Sequence, residues 1–85
     1  MLSGCTVRQR LGANFDGAVF GFDAKTEPQC VQKCVDIYPD CVAVDFNLYS
    51  RGCYGHRAQT GVGRWQDNGC CNRYEIVACG GRIRA

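Results

Sequence analysis

Eight cysteines in 85 residues constrain this chain more than any other feature. A core built from so few residues is marginal alone, and covalent staples are its usual supplement. An even number of cysteines at this density reads as a disulfide framework made in an oxidising compartment, so the chain is expected to be secreted or extracellular. Zinc is the competing use, but its sites need two Cys-x2-4-Cys knuckles, and only Cys30 and Cys34 have that spacing. No metal and no cofactor is therefore expected. The opening MLSGCTVRQR has no apolar signal segment, which fits a mature chain with an added Met or a domain taken from a longer protein. No run reaches the length of a membrane span.

Four of the cysteines fall in the stretch from Thr26 to Cys53, TEPQCVQKCVDIYPDCVAVDFNLYSRGC. Thr26 followed by Gln29 has the form of a capping box, and Pro28 fits a first helical turn. Cys30, Val31, Cys34, Val35 and Tyr38 then share one face, opposite Gln29, Gln32, Lys33 and Asp36. Pro39 should stop the helix at about Ile37 or Tyr38. Beyond it the period changes to two: Val42, Val44, Phe46 and Leu48 alternate with Ala43, Asp45 and Asn47, which predicts a strand with one buried face. Tyr49-Ser50-Arg51-Gly52 reads as a turn into a second, antiparallel strand beginning near Cys53.

A helix carrying Cys-x3-Cys, then Cys41, the strand VAVDFNLY, a turn and GCYGH resembles the PAN/apple domain family. The resemblance implies an α+β fold, a small disulfide-rich domain over residues 5–79 with one α-helix packed on a curved antiparallel β-sheet. It also implies the pairs Cys30–Cys53, Cys34–Cys41 and Cys5–Cys79, the last tying the two ends together. Members of the family bind proteins, sugars or heparin through residues that differ between members. The resemblance therefore suggests adhesion or lectin-like recognition without naming a binding residue.

Cys70 and Cys71 stand outside that pattern. Adjacent residues of an extended segment point to opposite faces, so both cannot look into one core. If Cys5 pairs with Cys79, the doublet either closes on itself as a vicinal ring or bridges to another molecule, which would give a homodimer. Asn68-Gly69 favours the ring by supplying an irregular backbone beside it.

Elsewhere, residues 6–11 alternate as a strand, with Val7, Gln9 and Leu11 on one side and Thr6, Arg8 and Arg10 on the other. FDGAVFGF, residues 15–22, reads as a loop or a bent strand whose phenylalanines dock on the helix. Residues 58–69 lack periodicity and form the longest expected loop. Asn72 to Cys79 is a strand in which Tyr74, Ile76 and Ala78 alternate with Arg73, Glu75 and Val77. Residues 80–85, GGRIRA, are expected to be a mobile basic C-terminal tail.

For chemistry, the single histidine, His56, sits in a strand where a surface or cross-strand role outweighs that of a general base, and the acidic residues lack catalytic pairing. No enzyme is expected. A formal net charge of +2 is too small for a nucleic-acid partner. Arg8 and Arg10 on one strand face, with Arg82 and Arg84 brought close if Cys5 bonds Cys79, would make an anion-binding patch for a sulfated polysaccharide. An ordinary solvated face explains the same residues. Trp65 and Arg64 in the long loop, with Asp67 and the nearby Tyr54 and His56, form a ligand-binding candidate. An apolar ring beside amide, carboxylate and guanidinium groups is what sugar recognition uses. Trp65 serves equally well as a buried loop anchor. The expected partner is an extracellular protein or glycan. The rival is a small secreted disulfide-rich defence or toxin-like protein, which would need stronger cationic charge and an exposed apolar face.

Overall fold

The helix begins where its capping residues put it. In the computed structural model, which describes residues 4–15, 18–37, 40–57, 65–66 and 69–83 with Phe15, Trp65 and Gln66 as backbone only, the Thr26 side chain accepts from Gln29 N–H at 3.3 Å. Gln29 Oε1 reaches back to Lys25 N–H at 2.9 Å, one residue before the donor that a capping box uses. In chain order the elements are β1 (Cys5–Leu11), β2 (Asn14–Phe15), β3 (Phe20–Phe22), α1 (Glu27–Asp36), β4 (Ala43–Asn47), β5 (Cys53–His56), β6 (Trp65–Gln66), β7 (Cys71–Cys79) and β8 (Arg82–Ile83). The fold is thus a small disulfide-rich α+β domain.

The main sheet has the antiparallel order β1-β7-β4-β5-β3, with β8 also paired to β7; β2 and β6 pair separately. The long C-terminal strand β7 is central because it pairs with both the first strand and the hairpin that follows the helix. α1 packs mainly on β4, and Cys30, Val31 and Cys34 meet Val44, Phe46, Cys53 and Ile76 in the core. Phe20 and Phe22 stack on each other, ring centroids 5.9 Å apart, and cover the backbone of Gly55. A Cβ at Gly55 would stand 2.7 Å from the Phe22 ring, so the closeness of the edge strand depends on that glycine.

Four disulfides bind these layers. Cys30–Cys53 joins the helix to β5 and Cys34–Cys41 joins it to the segment entering β4, so one helical face is held at two points. Cys5–Cys79 links directly opposed residues of β1 and β7. Cys70 is bonded to Cys71, which leaves no cysteine free for an intermolecular bridge. Such a framework fits an extracellular protein. Among the described residues no helix is long and apolar enough to cross a membrane.

Several expectations are corrected. β4 is buried on both faces: Asp45, at 4 % exposure, lies between Arg73 of β7 and His56 of β5, whose side chains cover it. Leu11 is 68 % exposed although it keeps the face of Val7 and Gln9, because it ends an edge strand that α1, packed mainly on β4, does not cover. Residues 80–83 form a hairpin, not a mobile tail: Gly80 and Gly81, at φ 58° and 81°, make the turn, and Ile83 and Arg82 pair with Ala78 and Cys79. The long loop is interrupted by β6, whose two residues are too few to give a period.

Candidate functional site

The polar residues of the sheet face away from the helix satisfy one another. Glu75 Oε1 accepts from Arg8 at 3.5 Å and Arg10 at 3.4 Å, while its Oε2 accepts from Arg73 Nε at 3.3 Å. Arg73 Nη1 continues to Asp45 Oδ1 at 3.1 Å, and Asp45 Oδ2 accepts from His56 Nε2 at 2.7 Å. Carboxylates alternate with arginines across β1, β7 and β4, and His56 of β5 ends the row, so the charges withdrawn from water keep partners. His56, 0 % exposed, is therefore not a ligand-facing residue; its place in this ladder removes it from solvent. Arg8 and Arg10 are held by Glu75. Arg82 pairs with β7 four residues further along, about 13 Å at the usual strand rise, and on the side of β7 opposite β1. That spacing sets Arg82 apart from Arg8 and Arg10, which stay exposed beside Glu75; Arg84 lies outside the described residues.

Of the other expected ligand residues, only Tyr54 has a described side chain. Tyr54 is 45 % exposed on β5. The backbone of Trp65 pairs with Phe15, while its side chain, like Arg64 and Asp67, lies outside the described residues. Among the described residues no set of three His, Cys, Asp or Glu side chains is placed to hold a metal ion.

The concave surface lies on the opposite face. Because α1 sits mainly over β4, the helix-side faces of β7 and β1 are left partly uncovered, and a groove of about 900 Å³ opens between the start of α1 and β1. Its described lining is Cys5, Thr6 and Val7 from β1, Glu27, Pro28, Gln29, Val31 and Gln32 from α1, and Tyr74 from β7. One clamp fixes its geometry. Glu27 Oε1 accepts from Tyr74 Oη at 2.6 Å and from Asn72 Nδ2 at 2.7 Å, and Tyr74 Oη in turn accepts from Gln9 Nε2 at 3.1 Å. Asn72 Oδ1 also accepts from Gly12 N–H at 3.1 Å, which ties the end of β1 to the same point. Burial, then the bond to the Glu27 carboxylate, pushes the Tyr74 phenol above its ordinary pKa of 10.0, so it remains a proton donor to Glu27 at neutral pH. The groove thus has an apolar part (Val7, Pro28, Val31) and three polar side chains, the Glu27 carboxylate held by β7, the Gln29 amide held at the helix cap and the Gln32 amide held by Asp36.

Sequence reasoning missed this site. Thr26, Pro28 and Gln29 were legible as cap residues, but nothing local in the chain indicates that Thr6 and Val7 face them. No family model matches the chain, and no curated protein or solved structure matches it.

Proposed function

We propose that this chain is an extracellular, non-enzymatic binding module of PAN/apple type, whose ligand seats in the groove between α1 and β1. The observation that carries the reading is the groove itself: a concavity within the range of about 300–1,000 Å³ usual for small-ligand sites, with an apolar floor and a few fixed polar groups. Recognition fits it better than catalysis. The single histidine is buried against Asp45, and all eight cysteines are bonded, so neither a solvent-facing imidazole base nor a thiolate nucleophile is on offer. The disulfide framework supports an extracellular setting.

The test is a groove-filling variant. Gln32 is exposed on α1 and lines the groove, so Gln32→Trp occupies the space without entering the core. Ligands are first found with a glycan array and an extracellular-protein array. Gln32→Trp should then lose binding while keeping the wild-type melting temperature, and Tyr54→Ala should bind normally. The reverse pattern would move the site to the β5 side of the molecule and overturn the reading.

A further inference from the structure

The polar atoms around the groove that have no protein partner define what it can take. Glu27 uses Oε1 for both of its bonds, which leaves Oε2 as an acceptor. Gln29 Oε1 is used by Lys25 N–H, which leaves its amide nitrogen as a donor. Gln32 gives its amide nitrogen to Asp36 at 2.8 Å, which leaves its carbonyl oxygen as an acceptor. Val7, Pro28 and Val31 supply apolar surface beside them. No lysine, arginine or histidine is among the described lining residues.

Resting on the reading that this groove is the binding site, we infer that its ligand is a neutral, hydroxyl-rich ring, a hexopyranose residue of an uncharged glycan. A pyranose has an apolar C–H face to lie on the valines and the proline. Its hydroxyls act as donor and acceptor together, which suits two acceptors and one donor held on adjacent helical turns. A sulfated or carboxylated sugar is disfavoured, because it would bring its charge to the Glu27 carboxylate with no cation in the lining to receive it. An organic cation would satisfy Glu27 but make no bond to the Gln29 amide donor, which a hydroxyl can accept from. The arginines that would have favoured sulfate are on the other sheet face, tied to Glu75.

The experiment is amide-resolved NMR titration of the disulfide-intact chain. The probes are methyl glycosides of neutral hexoses and N-acetylhexosamines, a sulfated disaccharide, and tetramethylammonium. A neutral glycoside should shift the amides of Thr6, Val7, Val31 and Gln32, with an affinity insensitive to salt. Gln32→Ala and Glu27→Gln should each weaken it at least about tenfold, the loss of one good hydrogen bond. Gln32→Ala lies outside the Glu27 clamp, so it decides the matter even if Glu27→Gln loosens the fold. Groove shifts with the sulfated disaccharide or the cation, and none with neutral sugars, would overturn the ligand class while leaving the groove as the site. Neutral-sugar shifts confined to Tyr54 and Trp65 would overturn both, and no shift with any probe would overturn the inference.

Discussion

His56 Nε2 stands 2.7 Å from Asp45 Oδ2, and both residues are buried. The second Asp45 oxygen holds Arg73, so this one carboxylate joins β5 to β7 through β4. Removing it takes from the buried Arg73 guanidinium one of its carboxylate partners, Glu75 being another, and from His56 the carboxylate its ring bonds. Asp45→Ala should cost about 3–5 kcal/mol in chemical denaturation with the disulfides intact, the range for breaking a buried ion pair. A loss under about 1 kcal/mol would mean that water already reaches the pair.

The disulfides should differ in worth according to the loops they close. Separations of 74, 23 and 7 residues correspond to about 4.4, 3.4 and 2.4 kcal/mol of loop-closure entropy for Cys5–Cys79, Cys30–Cys53 and Cys34–Cys41. Adjacent Cys70 and Cys71 close no loop of chain. The double variant Cys70→Ser/Cys71→Ser should therefore unfold within about 1 kcal/mol of wild type, whereas Cys5→Ala/Cys79→Ala should lose several. Equal losses from the two double variants would contradict that ordering.

Gly55 and Gly21 offer a matched pair of substitutions on facing strands. A methyl at Gly55 meets the Phe22 ring at 2.7 Å and Phe20 Cβ at 3.1 Å, while one at Gly21 meets nothing within 4 Å. Gly55→Ala should cost about 1–3 kcal/mol through overpacking, and Gly21→Ala should be near neutral. Thermal unfolding of the two variants side by side checks this.

Tyr74 makes a prediction in alkali. Its phenol is raised in the folded chain by burial and by Glu27, so the unfolded chain ionises first as pH rises. The contribution is fully present below about pH 10 and is lost as pH climbs through the folded value. Phenolate absorbance should show a late-titrating phenol that Tyr74→Phe removes. A late phase unchanged by Tyr74→Phe would contradict the Glu27 clamp.

The parts of the fold that sequence made legible are those whose causes are local. Thr26, Pro28 and Gln29 mark the helix start within one turn, and the alternation of Val44 with Phe46 marks β4 without knowledge of its neighbours. Three of the cysteine pairs were implied by the family resemblance, while the Cys70–Cys71 ring, weighed against an intermolecular bridge, rested on the adjacency of the two residues and on Asn68-Gly69. Asp45 and Arg73 looked like solvent-facing alternates because their partners lie 11 and 28 residues away, and only sheet order makes them neighbours. His56, read as a cross-strand residue or a ligand contact, takes the cross-strand place beside Asp45. The Gly80-Gly81 turn was visible in principle, since paired glycines are a hairpin signal, but the short basic end obscured it. The groove was not visible at all, because it depends on β1 crossing to the far side of β7 and on α1 leaving that side uncovered.

The central claim is that ligand enters between α1 and β1. A crystal structure of the chain with the strongest glycan-array ligand tests it most directly. The account predicts density for the bound sugar against Val7, Pro28 and Val31, with a hydroxyl on Glu27. Density seated instead against Tyr54 or in the segment around Trp65, with the α1–β1 groove empty, would contradict it.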